Sequence, residues 1–264
     1  MALSANYHIH TYRCKHAEGD CRDYCEQAVA QGMETVGFAD HTPLPDGRWP
    51  EVRMEMHELD GYVRSVRQAG REFPQLRVLL GMEVEILPQY VEFYEQELLG
   101  KRQFDYLIGS VHYIPVRARW QHVWQKARGP EVIRAYAELA VATIESGLVS
   151  CVAHPDLLGV IEEDWNVDYA DAAREVCAAA AAARVPLEIN ARGIRNGLIA
   201  RTDGTERYRY PWTPFWEVAA DEGASVVIGS DAHAPDEVAA GEQEIRTLIA
   251  ELGLREVDIF EEER

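Results

Sequence analysis

Residues 6–10 read Asn-Tyr-His-Ile-His, a short run that ends on two histidines spaced by two. On a strand, side chains two apart point to the same face, so His8 and His10 would look the same way from the strand's end. The same ending recurs along the chain. Ala39-Asp40-His41 closes a candidate strand at 35–39, and Gly109-Ser110-Val111-His112 closes one at 106–111. Val152-Ala153-His154 closes 149–153, and Gly229-Ser230-Asp231-Ala232-His233 follows 225–228. Further candidates at 77–86 and 186–189 carry the same Val, Ile and Leu enrichment between turn residues.

Helix-like segments fill the intervals at 20–31, 59–72, 131–146, 168–184 and 236–251. Gly32, Gly147 and Gly253 stand just past three of them, Pro74 and Pro186 just past two others, and Pro130 precedes a start. That is the expected asymmetry of helix ends. Strands alternating with helices imply an α/β fold with a parallel sheet. Seven such units in 264 residues suggest a single domain, 1–264, closed into a barrel. A doubly wound open sheet is the alternative. In a barrel, all strand C-termini reach one rim, where residues distant in sequence meet.

Composition narrows the function. With 26 Lys and Arg against 45 Asp and Glu, the formal charge is −19. Such a polyanion repels phosphodiester backbones, so an extended nucleic-acid interface is disfavoured. No apolar run nears the roughly 20 residues of a membrane helix. The five cysteines are an odd number in a chain too large to need disulfide staples, and no signal peptide precedes residue 7. A cytoplasmic protein is expected.

Nine histidines occur, and seven of them (His8, His10, His16, His41, His112, His154 and His233) sit at or just after strand ends. Only His57 and His122 lie elsewhere. Glu83 and Glu85 share a face near the end of the third strand, and Asp231 shares one with His233. Imidazoles mixed with carboxylates suit borderline divalent ions, and nine ligands are too many for one. Two or three ions of zinc, iron or manganese are expected.

These motifs (His8-Ile9-His10, Ala39-Asp40-His41, Gly109-Ser110-Val111-His112 and Ser230-Asp231-Ala232-His233) resemble those of the polymerase and histidinol phosphatase (PHP) superfamily. Arg53-Met54, Ile189-Asn190 before Gly193-Ile194-Arg195, and Tyr210-Pro211 resemble its histidinol-phosphate phosphatases. The resemblance implies a distorted seven-stranded (β/α)7 barrel like the triosephosphate isomerase fold, with a trinuclear metal centre at the C-terminal strand ends. It implies that His8, His10, Glu83 and Asp231 hold one ion. Glu83, as a bridge, holds the second with His112 and His154, and His16, His41 and His233 hold the third. Glu83, Asp231 and His233 would be catalytic through those ions, and Asp40 through orienting a ligand.

The chemistry implied is phosphomonoester hydrolysis. A water between two cations loses its proton near neutral pH, and the resulting hydroxide attacks phosphorus in line. The substrate implied is L-histidinol phosphate, converted to L-histidinol and phosphate in histidine biosynthesis. Another small phosphomonoester, phosphotyrosine, or a polymerase-associated nuclease or proofreading role are the alternatives. Arginine suits the phosphate because its planar fork pairs with two oxygens. Arg195 is the first candidate, followed by Arg192, Arg117 and Arg119. These lie in two basic loops, the first also holding Lys126 and Arg128, the second Arg201, Arg207 and Arg209. Cys14 reads as a small loop residue, or as part of a local metal cluster with Cys21 and Cys25. One feature departs from the family pattern. The loop after His154 (Pro155-Asp156-Leu157-Leu158-Gly159-Val160-Ile161-Glu162-Glu163) lacks the basic residue found there in relatives.

Overall fold

Strand and helix alternate from the first described residues onward. The computed structural model describes residues 4–117, 119–124, 129–160, 164–201 and 203–260. Two compact units make up the chain: Met1–Ile108 with Gly229–Glu242, and Gly109–Ile228 with Gln243–Arg264.

In the first unit the strands β1 (Ala5–Ile9), β2 (Thr35–Phe38), β3 (Arg77–Glu85) and the start of β4 (Tyr106–Ser110) lie side by side in that order. β1 runs parallel to β2, and β2 to β3. Both α1 (Cys21–Ala30) and α2 (Leu59–Glu72) return the chain for the next parallel strand. Asp20 starts α1 with a capping box, its carboxylate accepting from the helix while Asp23 accepts from the Asp20 amide. In α2, Leu59, Tyr62, Val63, Val66 and Ala69 recur at three- and four-residue intervals and form the buried stripe. After β3, a short α3 (Val91–Phe93) widens into a π-helical turn over Tyr94–Lys101.

Tyr106 locks this sheet beneath the strand ends. Its hydroxyl donates to the Tyr7 carbonyl at 2.6 Å. The ring lies so close over Gly37 and Gly81 that a Cβ at either would collide with it. Residues 229–242 complete the unit. Ala232 bridges Ile9 in parallel, and the His10 amide donates to the Ala232 carbonyl at 2.9 Å.

The second unit opens with a hairpin, β5 (Tyr113–Val116) antiparallel to β6 (Arg119–His122). It continues through α4 (Pro130–Glu145), β7 (Cys151–Val152), α5 (Val167–Ala183) and β8 (Leu187–Asn190). A one-turn helix, α6 (Arg192–Arg195), precedes a second hairpin of β9 (Leu198–Ala200) and β10 (Glu206–Tyr208). The unit ends with α7 (Thr213–Asp221), β11 (Ser225–Gly229), α8 (Glu242–Leu252) and β12 (Arg255–Glu256). Its sheet order is β7-β8-β11-β12, with the outer pairs parallel. Asn166 caps α5, its Oδ1 accepting from the Asp168 and Tyr169 amides at 3.0 and 3.3 Å.

Expectation and structure part at several edges. The helix expected over 236–251 begins at Glu242, because residues before it form a 3-10 turn, Pro235–Glu237. That turn is tied to the site: the His233 amide donates to the Glu237 carboxylate at 2.8 Å. The strand expected over 149–153 shortens to Cys151–Val152. Both hairpins and β12 lie in stretches read as loops or tail. No helix among the described residues is long and apolar enough to cross a membrane.

Candidate metal centre

The first unit gathers seven of the nine expected ligands. His8 and His10 leave β1 on one face, and their Nε2 atoms lie 3.0 Å apart. Glu83 Oε2, near the end of β3, stands 3.5 Å from each. Asp231 Oδ1 stands 3.8 Å from His8 Nε2 and 3.3 Å from His10 Nε2. Four donor atoms around one ion at about 2.0–2.1 Å would be about 3.3–3.4 Å apart in a tetrahedron. The observed separations scatter around that edge, and two sets of three, His8, His10 and Asp231, and His10, His41 and Glu83, each bring donor atoms close enough for a divalent ion.

A second group faces it. His41 Nδ1 lies 2.7 Å from Glu83 Oε2, and the two residues form a parallel bridge between strand ends. The ring of His16 lies 5.5 Å from that of His41 and 4.7 Å from that of His233. His16 Nδ1 pairs with the Cys14 carbonyl at 2.7 Å, and His233 Nδ1 with the Asp231 carbonyl at 3.0 Å. A carbonyl can only accept, so Nδ1 carries the proton and each Nε2 keeps its lone pair for a metal. Buried His233 Nε2 has no hydrogen-bond partner, which suits an atom that would ligate a cation.

Electrostatics agree with this preparation. Burial, reinforced by the neighbouring His233, pushes His10 well below the usual imidazole value and keeps it neutral. For Asp231, burial works toward protonation, but His8, His10 and His233 outweigh it and hold the carboxyl well below its ordinary range. Asp231 also has a backbone φ of 49°, and His154 one of 31°. Both are non-glycine residues in the left-handed region, a strain that concentrates at functional sites.

Asp40 stands behind the ligands. Burial raises its carboxyl to about 7, against the pull of two bonds from Thr11. Its oxygens accept from the Thr11 amide at 3.0 Å and the Thr11 hydroxyl at 2.6 Å, while His10 Nδ1 is 3.9 Å away. Asp40 thus clamps the end of β1 to the end of β2. Glu85 is buried at the end of β3. Cys14, expected as a small loop residue or as part of a cluster with Cys21 and Cys25, has its buried sulfur within 4.8 Å of ring nitrogens of His10 and His233. Only the fold reveals that neighbourhood.

The second unit holds the remaining pair. The His112 and His154 rings lie 4.9 Å apart. His122, away from the expected strand ends, stacks on His112 with ring centroids 6.2 Å apart. The Trp124 amide donates to its Nδ1 at 3.2 Å. The hairpin explains this, because β5 and β6 pair Tyr113 with His122.

The arginines divide by their surroundings. Arg195 and Arg192 lie half-buried on α6. Arg207 donates to the carbonyls of Tyr208, Arg209 and Gly159 and stacks on Trp212, so it braces its loop. Arg201 approaches Asp164 and Asp203 at 4.0 and 3.8 Å. Arg117 is 88% exposed and 3.6 Å from Glu131, and Arg119 is exposed on β6. Lys126, Arg128 and the stretch 161–163 lie outside the described residues. Asp156, in the loop without a basic residue, accepts from the Trp212 amide at 2.6 Å and the Trp216 indole at 2.9 Å.

Comparison with known proteins converges on one group. The PHP domain family matches residues 6–192. A protein of Deinococcus radiodurans named "Probable histidinol-phosphatase" is 32% identical over 241 residues, covering 88% of this chain and 86% of that protein. One of the same name from Schizosaccharomyces pombe is 25% identical over 296 residues, covering 99% and 90%. Among solved structures, histidinol phosphate phosphatase from Lactococcus lactis, in complex with zinc, L-histidinol and phosphate, superposes with a TM-score of 0.74 at 19% identity. The match covers 96% of this chain and 95% of that one. At that identity the likeness establishes the fold, an α/β fold of the type expected from the strand-end motifs.

Proposed function

Because this chain belongs to the PHP domain family, we propose that it is a metal-dependent phosphomonoesterase that hydrolyses L-histidinol phosphate to L-histidinol and phosphate. The observation that carries the reading is the convergence of His8 Nε2 and His10 Nε2 with Asp231 Oδ1 on one side and Glu83 Oε2 on the other, at 3.0–3.8 Å. Those four residues hold one ion, and His16, His41 and His233 hold another. His112 and His154 supply imidazoles for a further one. Zinc, iron and manganese all suit such a donor set. When bound, the ions supply Lewis acidity, which generates hydroxide near neutral pH and offsets charge on the phosphoryl oxygens.

The protein's own groups prepare that chemistry. Glu83 Oε2, within 3.5 Å of ligand atoms from His8, His10 and His41, is placed to serve more than one ion. Asp231 stays ionised and His10 neutral, so neither need give up a proton before a cation arrives. The carbonyls of Cys14 and Asp231 hold the His16 and His233 rings in their ligating tautomer. Asp40 steadies the β1 end through Thr11. Arg195, with Arg192 beside it, grips the phosphate with a planar pair of N–H donors. The five cysteines are buried and none is in a disulfide, which suits a reducing cytoplasm.

The test is metal analysis of the purified protein, followed by phosphate release from histidinol phosphate and a phosphotyrosine peptide and nucleotide release from single-stranded DNA. Two or three divalent ions per chain and preferential release from histidinol phosphate are expected. Stronger turnover of the peptide or the DNA replaces the substrate, and no release from any monoester at saturating manganese or zinc defeats the enzyme reading.

A further inference from the structure

His154 lies just past the short strand β7 (Cys151–Val152), with its own backbone in a left-handed conformation, φ 31°. A buried amide beyond the end of a strand needs an acceptor from elsewhere. It finds Glu188 Oε2 at 3.1 Å. That same oxygen accepts from Asn190 Nδ2 at 2.8 Å. Asn190 in turn uses its Oδ1 to accept from the Arg192 amide at 2.9 Å. Glu188, Asn190 and His154 are all at most 2% exposed, so the bonds to Glu188 are shielded from water, and the last one reaches the half-buried Arg192.

The last bond matters because α6 is only four residues long, Arg192–Arg195. A single turn cannot sustain itself, since fixing its dihedrals costs more than its few hydrogen bonds return. Something outside must set where it begins. Asn190 does so at the N-terminal side, and close packing does so laterally: a Cβ on Gly193 would collide with Tyr210. The Tyr210 ring also lies 6.3 Å from that of His154. The arginine turn and the histidine therefore share two neighbours.

We propose that Glu188 and Asn190 are positioning residues that couple the metal-binding histidine His154 to the phosphate-binding arginines Arg192 and Arg195. The inference rests on the roles assigned above to those three residues. One carboxylate oxygen sets the backbone of the histidine and the side chain that starts the arginine turn. Metal site and anion clamp are thereby held in register, the alignment an in-line displacement demands. Neither residue touches the reacting atoms.

Two variants separate this coupling from simple structural support. Glu188→Gln keeps the volume but weakens the charge-assisted acceptor. Asn190→Ala removes both bonds of the Asn190 side chain and leaves the one between Glu188 and the His154 amide. Zinc retention is read by competition with a graded chelator, inorganic phosphate affinity by calorimetry on the metal-loaded protein, and folding by circular dichroism. For Glu188→Gln we expect metal affinity to fall about 10- to 100-fold, as for other partners behind metal ligands, and phosphate affinity to fall about 10-fold with it. For Asn190→Ala we expect the phosphate loss alone. Combining Glu188→Gln with Arg195→Ala should weaken phosphate no further than Arg195→Ala does. Weaker metal retention in folded Glu188→Gln with phosphate affinity unchanged overturns the coupling. So does full additivity. Should Glu188→Gln fail to fold, Asn190→Ala decides alone, and unaltered phosphate affinity there defeats the proposal. A wild-type protein that binds zinc and phosphate but releases none from histidinol phosphate would sink the substrate reading while leaving these titrations legible.

Discussion

The two units of the chain prepare their sites by different means. In the first, seven candidate ligands come from the ends of parallel strands and the loops directly after them, and backbone pairing sets their spacing. His8 and His10 share a strand face, His41 and Glu83 are bridged across strands, and Ala232 pins Asp231 and His233 beside Ile9. In the second, His112 and His154 are joined by features with no local rule behind them: a hairpin, a one-turn helix and a buried carboxylate. Strand geometry places ligands with little help from side chains. Where the chain must instead deliver an arginine to a ligand, side-chain networks supply what backbone regularity does not.

If that contrast is right, the largest effect lies in the first unit. Glu83→Ala removes the oxygen that approaches His8, His10 and His41. We expect loss of at least one bound ion by metal analysis and a fall in kcat of about a thousandfold or more, the fold being kept by circular dichroism. Normal metal content in that variant would break the comparison at its base. Arg195→Ala should act on the other side. The KM for histidinol phosphate should rise roughly tenfold, about one lost charged contact, with metal content unchanged. Loss of metal would show that the arginine turn belongs to the metal site after all.

The same contrast explains what could be read from sequence. The strand expected at 77–86 is β3, Arg77–Glu85, and the helix expected at 59–72 is α2, Leu59–Glu72. Both have a clear period and sharp ends. Strand-end histidines were visible because spacing by two survives any fold that keeps the strand. The β5–β6 hairpin has no clear signature in the sequence because Pro115 sits inside it and its pairs, such as Ile114–Gln121 and Val116–Arg119, set apolar against polar residues. Cys14 and His122 lack one for another reason. Their neighbours, His233 and His112, are set by long-range closure or by that unseen hairpin, and no periodicity encodes either. Glu188 stands out as a carboxylate on an apolar strand, but its partner, the amide of His154, lies just past the end of β7, and no periodicity points to it.

A smaller effect tests whether side-chain support matters in the first unit at all. Asp40→Asn leaves an acceptor for the Thr11 amide but replaces the oxygen that takes the Thr11 hydroxyl. We expect metal affinity to drop about tenfold by chelator competition, with kcat near normal once metal is saturating. A variant indistinguishable from wild type would mean that backbone pairing alone suffices, which sharpens the contrast.

The smallest effect concerns the loop that carries His16. Arg13 donates to both oxygens of Asp20, at 2.6 and 3.2 Å, and Asp20 also caps α1. Burial works to raise the Asp20 carboxyl, but the Arg13 guanidinium and the Cys21 amide outweigh it and leave it below its usual range. A carboxyl so lowered stabilises the fold above its unfolded value of about 3.9 and ceases to do so as pH falls through the folded value. Asn at 20 retains the cap and loses the charge. Because the Asp20 side chain is 36% exposed, solvent screens the pair, and Asp20→Asn should cost about 0.5–1 kcal/mol at pH 7 by urea denaturation. The difference from wild type should shrink below about pH 4 and vanish as Asp20 protonates. A difference that persists undiminished at pH 3 would assign the loss to packing, not charge, and would remove electrostatics from the account of how this loop is held.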